Sequence, residues 1–367
     1  MKVEINMINV EDGDAIFIGL ENADNLKALI VIDGGYKRFY NSRVKPRLEQ
    51  ILSKYDNKIT LLVCTHYDND HLEGAGKILD DYHSIIQEIW IHKIDKPLTE
   101  QIEIMKASLN LLEEELDQKK KFKYLAGISE LEDTFVLESY RELIGFIEKL
   151  GKYNFEGRIA QATRGKKLRG FENFEVISPT AEYYNEYLSK LKDEKYLEDI
   201  KYNLSENRLS LQEKYLVNEV RGFIDGVNPC ESLEKSSVSN RVTPTNMVSI
   251  VTLLTINDKK FLFTGDAGIE SFESQGILDE KVKDLFWLDV PHHGSKNNTS
   301  KRMLEHFNPE KVFVSGEGID NRPHKNITNC LKKRRAGENQ FTTNSPTNTW
   351  YLKINEMGKV ERVFLQY

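Results

Sequence analysis

The chain of 367 residues contains only three cysteines, Cys64, Cys230 and Cys330, in no paired spacing. This scarcity excludes a disulfide-rich secreted scaffold and predicts reduced thiols, with Cys64 in the core of an apolar strand. No run approaches the roughly 18 apolar residues of a transmembrane helix. Residues 1–7 alternate like a strand and lack the apolar core of a signal peptide. These absences predict a cytoplasmic protein without a membrane span.

Positive charge is also in short supply, because 51 Lys and Arg stand against 58 Asp and Glu, a net charge of −7. The whole molecule therefore has no long-range attraction to nucleic acid. A polyanionic substrate would need a local basic patch or bound metal ions. The hydrophobic content of 39% and charged content of 30% are typical of a globular protein with charged helices.

Hydrophobic periodicity predicts a strand-rich body interrupted by helical segments. Helices are predicted over 43–55, 76–82, 98–122 and 130–150, and residues 181–245 form an insertion that begins helical and becomes a loop over 222–245. We therefore predict one domain over 1–367, with the helical segment 98–152 inside it. Strands are predicted over 3–10, 14–20, 26–33, 59–65, 88–92, 171–177, 249–256, 260–264, 285–290, 311–315, 349–354 and 361–365.

A dense group of potential metal ligands follows the apolar run 60–64. The ligands, within six consecutive residues, are His66, Asp68, Asp70 and His71. Imidazole nitrogens and carboxylate oxygens suit Zn, Mn or Fe. Packed together in a core without a cation, these groups would repel one another and lose solvation. The spacing predicts a site for two divalent ions, and the alternative for this segment alone is a polar surface loop.

Three further polar clusters stand where apolar strands end. Asp33 precedes two glycines and is either a turn residue or a partner for a ligand histidine. Asp266 follows Gly265 and could bridge two metal ions, although an isolated carboxylate there would indicate only a turn. In the pair His292 and His293, one imidazole is expected to bind metal while the other supports the site or contacts substrate.

A fourth candidate loop contains His324 and Lys325. His324 could protonate a leaving group or hold a phosphate oxygen. Lys325 and the run Lys332-Lys333-Arg334-Arg335 would supply a nearby basic patch. The alternative is a charged helix on the surface.

Together these segments resemble the metallo-β-lactamase fold, and in particular the metallo-hydrolase domain of ComEC-type DNA-uptake proteins and their free-standing relatives. The sequence departs from the family's V-G-Q-G-D-A, in which the first Gly and the Gln are replaced here. The late S-x-G…H-P motif is matched only loosely by Ser315-Gly316 and Pro323-His324. The segments that carry the resemblance are Val10–Ala15, Val31–Gly35, Thr65–His71, Ile177–Pro179, Asn246–Ile250, Gly265-Asp266 and Pro291–Ser295.

The resemblance implies an α/β fold, a four-layered αββα sandwich with a helical insertion, and two divalent ions, Zn or Mn. Asp68 replaces a histidine of the commoner T-H-x-H-x-D-H motif, and its hard oxygen favours Mn. The implied metal ligands are His66, Asp68, Asp70, His71, Asp266 and one of the two adjacent histidines, for which we predict His293. We predict Asp70, His292 and His324 as catalytic residues, Asp33, Asn246 and Ser249 as supporting residues, and Ser295, Lys296 and Lys325 as substrate-binding residues.

The leading functional hypothesis is a phosphodiesterase or nuclease that acts on DNA, RNA or a nucleotide. One alternative keeps the fold but assigns a lactone, lactam or thioester substrate. Another is a regulatory component with a retained metal site, whose helices in 98–152 and 181–220 dock a partner protein.

Overall fold

The computed structural model describes most of the chain. The described residues are 1–92, 97–100, 102–103, 106–107, 110, 131–191, 229–234, 244–316, 322–337, 339–342, 349–355 and 359–365. Across these ranges, no helix combines the length and the apolar character that crossing a bilayer demands.

Two mixed β-sheets form the centre of the molecule. One has eight strands in the order β15-β14-β1-β2-β3-β4-β5-β6, and the other has seven in the order β13-β12-β11-β10-β9-β8-β7. The strands are β1 Lys2–Met7, β2 Ile16–Glu21, β3 Lys27–Ile32, β4 Ile59–Val63, β5 Ile86–Trp90, β6 Ile159–Ala160, β7 Lys167–Leu168, β8 Phe171–Ser178, β9 Val251–Ile256, β10 Lys259–Phe263, β11 Trp287–Asp289, β12 Lys311–Val314, β13 Gln340–Thr342, β14 Thr349–Ile354 and β15 Val360–Leu365.

Helices connect the strands. They are α1 Lys37–Phe39, α2 Lys45–Leu52, α3 Asn69–Tyr82, α4 Leu131–Lys152, α5 Ala181–Leu191, α6 Glu231–Glu234, α7 Pro244–Met247, α8 Ile269–Glu273, α9 Lys301–Phe307 and α10 Lys325–Lys332. A π-helical turn at Tyr40–Val44 and a 3₁₀ turn at Ser53–Tyr55 flank α2, and further 3₁₀ turns occur at Glu156–Arg158 and Glu280–Val282.

The sheets lie face to face, with helices on both outer sides. Successive strand side chains point to opposite faces. In β4, Leu61 and Val63 enter the core shared by the two sheets. Leu62 enters a second core, where α2, α3 and α4 cover the outer face of the eight-stranded sheet. Helices α8, α9 and α10 cover the other sheet in the same way. The fold is thus a mixed α/β sandwich.

Loops at the carboxyl ends of strands from both sheets meet at one edge. The Thr65 carbonyl, just after β4, accepts a hydrogen bond from Ile250 N–H at 2.9 Å, and Gly265, after β10, accepts one from His292 N–H at 3.1 Å. Gly265 has a φ of 49°. A Cβ there would lie 3.0 Å from the Thr65 side chain, so both conformation and space favour glycine.

The strands predicted from periodicity are present, mostly with ends shifted by one to three residues. The structure adds β6, β7 and β13, which are too short to show alternation. Helix α3 begins at Asn69 rather than 76, because the ligand-rich loop runs directly into it. Helical turns α6 and α7 interrupt the predicted loop 222–245. Of the predicted helix 98–122, residues 98–100, 102–103, 106–107 and 110 are helical, and the rest lies outside the described residues, as does 192–228.

The prediction that all three cysteines are reduced is wrong. Cys230 and Cys330 form a disulfide with a Cα–Cα distance of 4.8 Å across 100 residues of sequence. Spacing along the chain could not reveal this contact, because the fold brings α10 against the turn that precedes α6. Cys64 is a free, buried thiol, as predicted.

We expect the disulfide to stabilise the native state, because closing a loop of 100 residues restricts the unfolded chain. Replacing both Cys230 and Cys330 with Ala should lower the free energy of unfolding by about 2–5 kcal/mol. Urea denaturation would measure this. A reductant should destabilise the wild type and leave the double variant unchanged, and an equal effect on both would contradict the assignment.

Candidate metal centre

The site begins with a loop that turns directly into a helix. Asp68 precedes α3, a position from which Asp often caps a helix, but its side chain makes no capping hydrogen bond. Its carboxylate instead lies 3.7 Å from Nε2 of His66. Asp70 and His71 occupy the first turn of α3, so one short segment aims four donor side chains at the sheet edge.

Two glycines allow α3 to sit tightly against the end of β3. The backbone N–H of Gly34 donates to the His71 carbonyl at 3.0 Å, and Gly74 N–H donates to the Gly35 carbonyl at 2.7 Å. A Cβ built on Gly74 would lie 1.8 Å from the Gly34 carbonyl oxygen. Only glycine fits at this contact, which sets the position of the first turn of α3 relative to the end of β3.

Asp266 lies at the centre of four imidazoles. Its Oδ1 is 3.3 Å from Nε2 of His71 and 3.7 Å from Nε2 of His293. Its Oδ2 is 3.6 Å from Nε2 of His66 and 3.4 Å from Nε2 of His292. Each carboxylate oxygen therefore faces its own pair of histidines.

Asp14, Asp33 and His71 form one group of donor atoms, and two further groups share Asp266. One consists of Asp70, His71, Asp266 and His293, and the other of His66, Asp68 and Asp266, with the donor atoms of each group within 4.8 Å of one another. These six residues are the ligands proposed from sequence, and the structure brings all of them together. His292 lies beside the second group and was predicted to be catalytic.

Asp33 holds the Nδ1 atoms of two histidines, His71 directly and His66 through the Thr65 hydroxyl. Nδ1 of His71 lies 2.8 Å from Asp33 Oδ2, and the Thr65 hydroxyl donates to the same oxygen at 2.5 Å. Nδ1 of His66 lies 3.0 Å from that hydroxyl. Since the hydroxyl hydrogen is committed to Asp33, the Thr65 oxygen accepts from His66 Nδ1–H. Asp33 thus supports both imidazoles.

The other two histidines are held by separate partners. Nδ1 of His293 lies 2.9 Å from the Ser315 hydroxyl, which donates to Asp14 Oδ1 at 2.6 Å. Nδ1 of His292 lies 2.9 Å from the Asn298 side-chain oxygen. In all four histidines Nδ1 is therefore occupied, and Nε2 is directed toward the carboxylates.

A cation would satisfy atoms that the protein leaves unpaired. In the described part of the chain, Nε2 of His66, Nε2 of His71 and Oδ1 of Asp266 are buried without a hydrogen-bond partner. Leaving such atoms unpaired costs about 1–3 kcal/mol each. The donor set of nitrogens and carboxylate oxygens suits zinc or manganese. The residues therefore fit a pair of divalent ions.

The pKa values of His66 and Asp68 also favour a bound cation. Burial, together with the neighbouring His71, lowers the pKa of His66 to about 4, which leaves its imidazole neutral and able to coordinate. Partial burial, and then the negative charges of Asp70 and Asp266, raise the pKa of Asp68 to about 7. A cation placed among these carboxylates would favour the charged form of Asp68.

The backbone is strained at the histidine pair. His292 and His293 have φ values of 50° and 55°. Left-handed conformations of this kind cost a non-glycine residue about 1–3 kcal/mol, and they cluster at functional sites. The consecutive left-handed residues point both imidazoles at Asp266.

The predicted supporting residues differ in their placement. Asp33 contacts a ligand histidine as described above, and the Asn246 side-chain amide donates to Asp266 Oδ2 at 3.3 Å. Among the described residues, the buried Ser249 hydroxyl has no hydrogen-bond partner. Ser295 is buried, and its hydroxyl accepts from Asn297 N–H at 3.3 Å.

His324 lies beside the histidine turn, because its backbone N–H donates to the Gly294 carbonyl at 2.9 Å. Its Nδ1 accepts from Asn326 N–H and so caps α10. Partial burial and the charge of Lys296 lower its pKa to about 4, so the imidazole is neutral at pH 7 with its proton on Nε2. Lys325, at the start of α10, is exposed.

The basic run after α10 is partly neutralised. Arg334 forms an ion pair with Glu305 at 2.9 Å, and Arg335 forms one with Glu310 at 3.1 Å.

Sequence reasoning gave no role to the residues that hold the histidines from behind, namely Asp14, Thr65, Asn298 and Ser315. Asp14 could have been found, because Gly13-Asp14 repeats the Gly-Asp pattern of Gly265-Asp266. The other three are common polar residues with no ligand spacing of their own.

Comparison with known proteins adds no assignment, since no protein-family model and no curated protein matches the chain.

Replacing Gly74 with Ala should displace α3, because the new methyl group would meet the backbone of Gly34. We expect a loss of about 1–3 kcal/mol in unfolding free energy and weaker divalent-ion binding. Thermal unfolding and calorimetric titration with Mn²⁺ or Zn²⁺ would measure both.

Gly145→Ala is the matched control, since Gly145 is also helical and a Cβ there meets nothing within 4 Å. It should be neutral or stabilise by up to about 1 kcal/mol. Equal behaviour of the two variants would show that the contact between Gly34 and Gly74 does not position the site.

Proposed function

We propose that this protein is a metal-dependent hydrolase of the metallo-β-lactamase type that cleaves phosphodiesters. The observation that carries the proposal is the pair of donor groups sharing one carboxylate, Asp266, at the edge between two sheets. When bound, a pair of divalent ions activates water and stabilises the charge that develops during phosphoryl transfer.

The layered fold supports this class of protein. The two sheets face each other beneath outer helices, and the donor side chains come from loops after β4, β10 and β11. That order along the chain is the one implied by the resemblance.

The protein's own residues would keep the donors in place. Asp33 orients His66 and His71, and the Asn246 amide fixes one oxygen of Asp266. Because the Nδ1 atoms are already engaged, each imidazole presents Nε2 without rearrangement. Such preorganisation is what an electrostatically stabilised reaction requires.

The more exposed side of the cluster favours an anionic substrate. The side chains of Asp68 and His292 are 26% and 25% exposed, whereas those of His71 and His293 are fully buried. Burial lowers the pKa of His292, Asp266 opposes that effect, and the positive charge of Arg322 lowers it further, so this charge acts on the more exposed side of the cluster. The same positive charge would attract a phosphodiester.

We propose a nucleic acid or a nucleotide as the substrate, since both contain the phosphodiester group that this charge would attract. His324, beside the histidine turn, is neutral and would donate a hydrogen bond from Nε2 to a phosphate oxygen rather than act as a strong acid.

The central test is Asp266→Asn, which keeps the shape of the side chain and removes its charge. The purified variant should bind neither ion and should lose hydrolysis of bis-p-nitrophenyl phosphate in Mn²⁺ or Zn²⁺. Metal analysis and turnover would record this. Absence of phosphodiester cleavage by the wild type with either ion would refute the proposed activity.

Asp258→Asn is the matched control. Asp258 is exposed in the turn between β9 and β10, at the opposite end of β10 from Asp266. Its positive φ of 66° suits Asn equally well. This variant should retain both ions and full activity, and thermal unfolding should show that both variants are folded.

Replacing Arg322 with Gln should test recognition of the anion separately. We expect kcat/KM for bis-p-nitrophenyl phosphate to fall by about tenfold or more, because a charge-assisted contact is lost. Hydrolysis of the neutral ester p-nitrophenyl acetate should change little. Equal losses for both substrates would instead favour a general structural role for Arg322.

A further inference from the structure

A buried hydrogen-bond chain joins the two sheets behind His293. His293, Ser315 and Asp14 are 1%, 2% and 4% exposed. Asp14 lies just before β2 in the eight-stranded sheet, whereas Ser315 directly follows β12 in the seven-stranded sheet. Asp14 N–H also donates to the Asp70 carbonyl at 3.3 Å, so the chain contacts the ligand loop as well.

The carboxylate of Asp14 determines which group donates each hydrogen bond in this chain. The Ser315 hydroxyl donates to Asp14 at 2.6 Å, which leaves its oxygen to accept from Nδ1–H of His293 at 2.9 Å. His293 is then held with Nε2 facing Asp70 at 3.1 Å.

The same arrangement occurs a second time in the site. Asp33 accepts from the Thr65 hydroxyl, and the Thr65 oxygen lies 3.0 Å from Nδ1 of His66. Two acid-hydroxyl-imidazole chains, drawn from unrelated parts of the sequence, thus end on opposite oxygens of Asp266.

We propose that Asp14 and Ser315 are positioning residues that fix the tautomer and orientation of His293. They act on the metal position formed by Asp70, His71, Asp266 and His293, and leave the position formed by His66, Asp68 and Asp266 intact. The inference rests on the proposed metal-dependent function. Partners of this kind typically change metal affinity by about 10–100-fold.

The experiment titrates the metal-free, full-length protein with Mn²⁺ or Zn²⁺ by calorimetry. Ser315→Ala and Asp14→Asn should each weaken one of two bound ions by about 10–100-fold and leave the other unchanged. Ser315→Thr restores the hydroxyl and should recover the affinity. Co²⁺ spectra should show an altered ligand field for one ion only.

Thr252→Val is the matched control, because the Thr252 hydroxyl is buried without a hydrogen-bond partner in the described part of the chain. It should bind both ions as the wild type does. Thermal unfolding of the metal-free variants would establish that each is folded.

Wild-type affinity for both ions in Ser315→Ala, or equal weakening of both ions without rescue by Ser315→Thr, would overturn the positioning role and leave the proposed function standing. If the wild type binds neither ion, the proposed function and this inference both fail.

Discussion

The site depends on the cost of burying Asp266 among four imidazoles. Its two oxygens lie within 3.3–3.7 Å of Nε2 atoms, and Oδ1 has no hydrogen-bond partner among the described residues. A buried carboxylate loses solvation that only hydrogen bonds or a cation restore. The donor atoms around Asp266 therefore favour a bound cation. The residues behind the histidines keep those donor atoms in position.

The residues that position the donor atoms come from both sheets. Asp33 and Thr65 stand at the ends of β3 and β4, while Ser315 follows β12. The left-handed turn at His292 and His293 completes the arrangement, and hydrogen bonds from both imidazoles to Asn298 and Ser315 help to hold its strained backbone. The stability of the folded sandwich thus partly offsets the cost of holding these side chains in positions that an unconstrained loop would not adopt.

The sequence was most informative where chemistry and strand pattern coincided. Asp266 and the ligands of the loop after β4 are recognisable because carboxylates and imidazoles end apolar strands. Ser315 lies in a loosely matched motif, but the motif gave it no role, since a serine after a strand is ordinary until its neighbours in space are known. The bond between Cys230 and Cys330 was invisible for the same reason, because 100 residues separate them. Strand ends shifted because periodicity defines faces better than boundaries.

The distance along the chain between Asp14 and Ser315 has a consequence for biosynthesis. Their hydrogen bond spans 301 positions. A nascent chain that has not yet released Ser315 from the ribosome holds most of the donor side chains but lacks the partner that orients His293. Under the proposed function, complete assembly of the centre is therefore a late event, because His293 is oriented only after the two sheets have come together.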